Sequence, residues 1–181
     1  MRKAAWKFFL DYEKEESWLN EMSVKGLALE GFFLGRYTFN DCHPDEYVYR
    51  IELLENLPGN LVSRQYLDFM AENGVEHIAS WGRWVYFRRK AEDGAFDIYS
   101  DIDSRLKHYR RISKLLLAII FMFLIIFSTF VFRVLFESPA SQPYVFFFMI
   151  IYLCLLIIII PNWNSYRRKA KRLKLEKQLR E

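Results

Sequence analysis

WLNEMSVKG, residues 18–26, returns as YLDFMAENG, residues 66–74. In both phrases an aromatic residue is followed by Leu, then Met three residues later, and a glycine closes the run. Apolar residues three and four apart lie on one face of a helix, and a glycine just past the last turn supplies the left-handed residue that ends it. A chain that writes the same helix ending twice, 48 residues apart, reads as an internal duplication.

Working outward from the first phrase, Asp11 is placed to cap the helix, with Glu13, Glu15 and Glu16 near the positive end of its dipole. Tyr12, Leu19 and Met22, with Trp18 beside them, make the apolar stripe. After Gly26, LALEGFFL, GRYTF and EYVYRIELL alternate apolar and polar residues in the manner of half-buried strands, and NDCHPD between the last two is turn chemistry. The second phrase is preceded by Ser63 as a candidate cap and followed by VEHIASW, GRWVYFRR and AFDIYS. Gly35-Arg36-Tyr37 aligns with Gly82-Arg83-Trp84. Each copy therefore reads helix–strand–strand–strand, with repeat 1 at about 7–54 and repeat 2 at about 60–100. One such unit buries little by itself. Two predict an α+β domain over 1–100 with one six-stranded antiparallel sheet, both helices on one face and a pseudo-twofold axis. The competing reading is a chance recurrence of a common helix–glycine–strand pattern.

The rest of the chain is a different material. Residues 115–132 and 144–160 carry no charge. At about 1.5 Å per residue each run approaches the roughly 30 Å apolar thickness of a bilayer. They predict a two-helix transmembrane hairpin. A linker helix at 101–114, capped by Asp103 or Ser104, precedes it. A connector at 133–143 joins the spans, and a basic tail covers 161–181. Lys107, Arg110, Arg111 and Lys114 stand before the first span, and the tail carries Arg167, Arg168, Lys169, Lys171, Arg172 and Lys174 after the second. The positive-inside rule then places both termini in the cytoplasm of a two-pass protein, with the connector outside. The tail residues are candidates for contact with anionic lipid.

Net charge divides the same way. Residues 1–114 hold 17 basic and 19 acidic side chains, and residues 115–181 hold 9 and 3. The excess positive charge belongs to the membrane part, so the domain is not expected to bind nucleic acid directly. Cys42 and Cys154 fall in different segments, one in the reducing cytoplasm and one inside a span, and no disulfide is expected.

Chemistry is sparse. His43, His77 and His108 lack partners at metal-ligand spacing, so no metal and no cofactor are expected. There is no nucleophile motif, phosphate loop or dinucleotide fingerprint, and the chain reads as not an enzyme. Aromatic content carries the signal instead. Trp81 and Trp84 flank Gly82-Arg83; in a straight strand they face opposite sides, unless Gly82 bends the chain. Tryptophan beside arginine is a frequent interface composition. Arg36, Tyr37, Trp81, Arg83 and Trp84 are accordingly the candidate ligand- or partner-binding residues, set about a groove between the two copies.

The domain resembles a bacterial family catalogued as domain of unknown function number 2812. The resemblance rests on Lys7-Phe8-Phe9, the run from Asp11 to Met22, Gly26, Tyr37-Thr38-Phe39, Tyr47 to Ile51, Trp81 to Phe87 and Ile98 to Asp101. It implies a cytoplasmic domain followed by membrane helices, often encoded beside transcription regulators of the PadR type. It implies no activity and no residue role. The expectation is a membrane-anchored regulatory or sensory protein whose cytoplasmic domain binds a protein partner, such as a PadR-like regulator, or a small ligand. An accessory subunit of a transport or envelope complex is the alternative. Membrane lipid is a further partner, and a homo-oligomer is possible.

Overall fold

In the computed structural model, which describes residues 2–99, 101–136 and 143–180, the chain divides after residue 100 into two units. The first contains β1 (Lys3–Trp6), α1 (Tyr12–Val24), β2 (Leu27–Phe33), β3 (Arg36–Asp41), β4 (Tyr47–Leu53), α2 (Leu61–Glu72), β5 (Glu76–Trp81) and β6 (Trp84–Lys90). The second contains α3 (Ile102–Phe136) and α4 (Pro143–Arg180).

The α+β class holds, and every strand pairing is antiparallel. The six strands form two sheets of three, ordered β1-β3-β2 and β4-β6-β5, rather than one sheet of six. The repeating unit is thus strand–helix–strand–strand. Tyr47–Leu53, read above as the end of the first copy, pairs with β6 and opens the second. Residues 95–99, read as a final strand, are irregular.

Local details repeat with the topology. Asp11 caps α1 by accepting from the Glu13 amide, and Asn60 caps α2 by accepting from the Val62 amide. The second cap is therefore Asn60; Ser63 is buried one turn inside, its hydroxyl donating to the Asn56 carbonyl at 3.4 Å. Gly26 and Gly74 end the helices at φ +74° and +76°. The β2–β3 register shifts between Leu29 and Gly31, and the β5–β6 register shifts between His77 and Ala79, 48 residues later. Lys7 N donates to Gly35 O at 2.9 Å, and Leu54 N to Arg83 O at 2.8 Å. A bulge and a bridging bond at matching places in both halves are hard to obtain from chance similarity.

The halves stack head to tail, not about a twofold axis. Register equates Tyr37 and Phe39 of β3 with Val85 and Phe87 of β6. A twofold would bring those equivalent faces together. Instead Tyr37 and Phe39 share a core with Leu19 of α1 and with Tyr49, Ile51 and Tyr86, which lie on the opposite face of the second sheet. Val85 and Phe87 pack with Met70 and Val75 in a separate core under α2. α1 is thus covered on two sides and α2 on one.

In the second unit the linker and the first apolar run are one helix of 35 residues, and the second run continues through Pro161 into the basic tail as one helix of 38. Both are long and apolar enough to cross a membrane. At about 1.5 Å per residue they measure roughly 50–57 Å, more than the apolar thickness of a bilayer. Asp101 marks the start of α3, its carboxylate accepting from the Ser104 amide, so neither Asp103 nor Ser104 is the cap. The helices pack on one another through Phe130, with Phe148 at 6.0 Å and Tyr152 at 5.6 Å, and through Tyr109 with Tyr166 at 6.1 Å. Lys177 Nζ joins the Asp103 carboxylate at 2.8 Å. Of the connector expected at 133–143, residues 137–142 lie outside the described residues.

Candidate functional site

The junction between the halves is built on one carboxylate. Glu15 projects from the first turn of α1 into the shared core, where the hydroxyls of Tyr37 and Tyr86 each donate to its Oε1 at 2.6 Å. Burial pushes the Glu15 carboxyl up from its ordinary value, and the two phenols oppose that rise. Burial and the adjacent carboxylate push both phenols far up, so they remain donors. The acidic start of α1, read from sequence as dipole compensation, serves tertiary packing at this position.

The same helix closes an open strand edge. Asn20 Oδ1 accepts from Tyr49 N at 2.8 Å while its Nδ2 donates to Tyr49 O at 3.2 Å. Glu16 Oε2 accepts from Ile51 N at 2.9 Å, and Ser23 Oγ donates to Tyr47 O at 2.6 Å. These residues sit on one helix face, four and three apart. They meet alternate residues of β4, whose backbone groups on that side have no strand beside them. Side chains here do the work of a neighbouring strand, which keeps the edge from recruiting another chain.

Among the described residues of this unit, none covers the outer face of the first sheet in this way. Register places Trp6, Arg36 and Phe33 side by side across β1, β3 and β2, and Trp6 and Phe33 are 68% and 66% exposed. Arg36 is also exposed. The adjoining row is Ala4, Thr38 and Gly31, all small. The result is a shallow trough with an aromatic and cationic wall. Gly35, at φ +80°, holds the tight β2–β3 turn, and a Cβ there would meet the Phe8 ring at 2.5 Å. The equivalent row in the second sheet is Leu53, Trp84 and Trp81. There Leu53 is buried and Trp84 lies against Tyr12 at 5.6 Å between ring centres.

The sequence-derived residues therefore separate. Tyr37 and Trp84 belong to the shared core. Arg36 lies on the open face. Trp81, 46% exposed, is at the tip of the β5–β6 hairpin, and Arg83 Nη1 donates to the Glu55 carbonyl at 3.0 Å. Trp81 and Trp84 are register partners on the same face, because Gly82 at φ +62° turns the chain between them. Of the tail residues, Arg167, Arg168, Lys171, Arg172 and Lys174 are exposed, whereas Lys169 Nζ lies 5.0 Å from the Tyr166 ring. Trp6, Phe33 and Asn20 carry no site signal in the sequence, where Glu15 reads as dipole compensation. Nothing in KAAW marks a strand, and a lone Phe33 among aromatics carries no signal.

An open cleft of about 540 Å³ lies between the halves, lined by Asp41, Cys42, His43, Glu46, Tyr47 and Arg88 among others. Its central cation is engaged, since Arg88 pairs with Glu76 at 2.7 Å and lies 4.4 Å from the Tyr47 ring centre. Among the described residues no three His, Cys, Asp or Glu side chains are grouped to hold a metal ion.

Residues 11–121 match a family described as protein of unknown function, DUF2812. The chain belongs to that family. The match takes in α1 with its Glu15 and Asn20, both sheets except β1, and the start of α3. No curated protein and no solved structure matches the chain.

Proposed function

We propose that this DUF2812 protein is a membrane-anchored, non-enzymatic binding protein. Its 1–100 domain captures a protein partner on the outer face of the first sheet. The observation that carries this reading is the contrast between two equivalent rows. Leu53 is buried and Trp84 lies against Tyr12 of the preceding half, while Trp6, Arg36 and Phe33 face solvent. Aromatic residues around an arginine are the composition of interface hot spots. α3 and α4 supply the anchor, with the exposed tail cations on the cytoplasmic leaflet. A cytoplasmic transcription regulator fits as the partner held at the membrane, the class that the family resemblance implies.

The test is a photocrosslinking amino acid at position 36, activated in native membranes. Adducts with a polypeptide are the expected result. Adducts with lipid alone, or none, overturn the reading.

A further inference from the structure

The two halves differ at the tip of the hairpin that each contains. In the first, the β2–β3 turn is Leu34-Gly35, and the bond from Lys7 N to Gly35 O holds the segment after β1 against it. Phe8 lies on Gly35 and is 78% exposed, Leu10 is 60% exposed and Leu34 48%. Phe9, between the first two, turns inward onto Trp18 at 5.4 Å between ring centres. The matching bond in the second half, Leu54 N to Arg83 O, puts Glu55 where the first half has Phe8 and Gly82 where it has Leu34. That tip is polar, with Arg83 donating to the Glu55 carbonyl. A hairpin of this kind therefore closes without an apolar side chain at either place, and the fold does not require Phe8 or Leu34. Leu34 is also costly where it stands: its φ is +46°, a left-handed conformation that Asn, Asp and Gly take readily and Leu does not.

We infer that this tip docks the domain on the surface of the bilayer that anchors it, with Phe8, Leu10 and Leu34 entering the boundary between headgroups and acyl chains. The inference rests on the anchoring part of the reading above and goes beyond the capture part. Three observations favour lipid as the occupant. The chain continues into two helices long and apolar enough to cross a membrane, and from Ile102 to Lys114, the last charge before the apolar run, α3 rises only about 20 Å. A domain on so short a tether is never far from the bilayer. The charge has the matching sign: residues 6–10 and 33–36 contain Lys7 and exposed Arg36 and no acid, which suits an anionic leaflet. The shape also fits. A turn tip points its side chains outward and offers no groove for a partner's anchors, whereas a fluid apolar phase needs none; affinity for it grows with the apolar area inserted and the cations beside it. The row of Trp6, Arg36 and Phe33 stands behind the tip on the sheet face, so a polypeptide can still reach it.

The second half supplies the control for the test. An environment-sensitive fluorescent amino acid is placed at position 34, or in a separate protein at position 82, of the full-length chain reconstituted into vesicles of phosphatidylcholine and phosphatidylglycerol. Shallow doxyl-labelled lipid is the quencher. The probe at 34 is expected to be quenched at least about threefold more than the probe at 82, and less in phosphatidylcholine alone. Phe8→Glu, which copies the second half, lowers quenching at 34 toward the level at 82, with circular dichroism and melting curves showing folded protein. Leu10→Glu repeats the comparison away from the Gly35 contact. Equal quenching at 34 and 82 overturns the inference, and so does quenching at 34 that both variants leave unchanged. A probe at 34 that is blue-shifted yet unquenched reports a second copy of the chain covering the tip and overturns it too. Protein that does not float with the vesicles removes the anchor and this inference together, while floating protein with an unquenched tip removes only this one. Polypeptide adducts from position 36 decide the capture reading separately.

Discussion

The hydroxyls of Tyr37 and Tyr86, from different halves of a duplicated domain, both donate at 2.6 Å to the same oxygen of Glu15. Neither phenol has an equivalent of its own kind in the other repeat, since register sets Tyr37 against Val85 and Tyr86 against Thr38. The pair belongs to the junction, and its energetic role is separable from the fold of either half.

Glu15→Gln keeps an acceptor oxygen for both phenols, whereas Glu15→Ala leaves two hydroxyls without their carboxylate. At roughly 1–3 kcal/mol per stranded buried group, Glu15→Ala destabilises the domain by about 2–6 kcal/mol and Glu15→Gln by less than about 1. Urea titration of the full-length protein, followed by tryptophan fluorescence, measures the difference.

Stability depends on pH through the same group. The folded-state pKa of Glu15 is raised, so its contribution is complete below the unfolded value of 4.5 and is lost as pH rises through the folded value. Glu16, raised chiefly by burial, acts in the same direction. Glu30 and Glu46 are lowered by the Arg2 side chain and the His43 amide respectively, so their contributions are lost as pH falls through their folded values. Melting temperature therefore carries a falling component above pH 4.5 from Glu15 and Glu16, set against a rising one from His77, whose pKa burial lowers from 6.5. In Glu15→Gln the decline above pH 4.5 is shallower. An unchanged slope in that variant removes Glu15 as its source.

Asn20→Ala opens the β4 edge by releasing both backbone groups of Tyr49. A loss of about 1–3 kcal/mol is expected, with faster hydrogen exchange at the Tyr49 amide and little change at Val85 in the middle of the second sheet.

Two turn glycines differ in what a side chain would meet. Gly82→Ala adds a Cβ in open space and bears only the left-handed backbone cost, about 1 kcal/mol. Gly35→Ala bears that cost and also displaces the Phe8 ring. The larger loss of stability at position 35 is read from parallel chemical denaturation of the two variants.

Much of the architecture was legible because it rests on local rules. The Asp11 cap, the helix-ending Gly26 and Gly74, and two long apolar runs need no knowledge of tertiary partners. What could not be read was pairing. Alternation in Tyr47–Leu53 identifies a strand but not its neighbour, so the repeat was cut one strand out of phase. Asn60, the cap of α2, stands three residues ahead of Ser63, and both lie just before an apolar stretch, so residue type alone does not separate them. The buried role of Glu15 was hidden among Glu13 and Glu16, where an acidic first helical turn already has a sufficient local reason. The exposure of Trp6 and Phe33 depends on which face the other half covers, and no periodicity encodes that.

The direct test of the account is hydroxyl-radical footprinting of Trp6 and Trp84, compared between native membranes and the purified, diluted protein. Trp84 is expected to react slowly in both, since Tyr12 and its own half of the domain cover it. Trp6 is expected to react rapidly when purified and slowly in native membranes, where a bound chain fills the trough. Equal, rapid oxidation of Trp6 in both settings, or a Trp84 as reactive as Trp6, would contradict a head-to-tail domain with one face kept open for a partner.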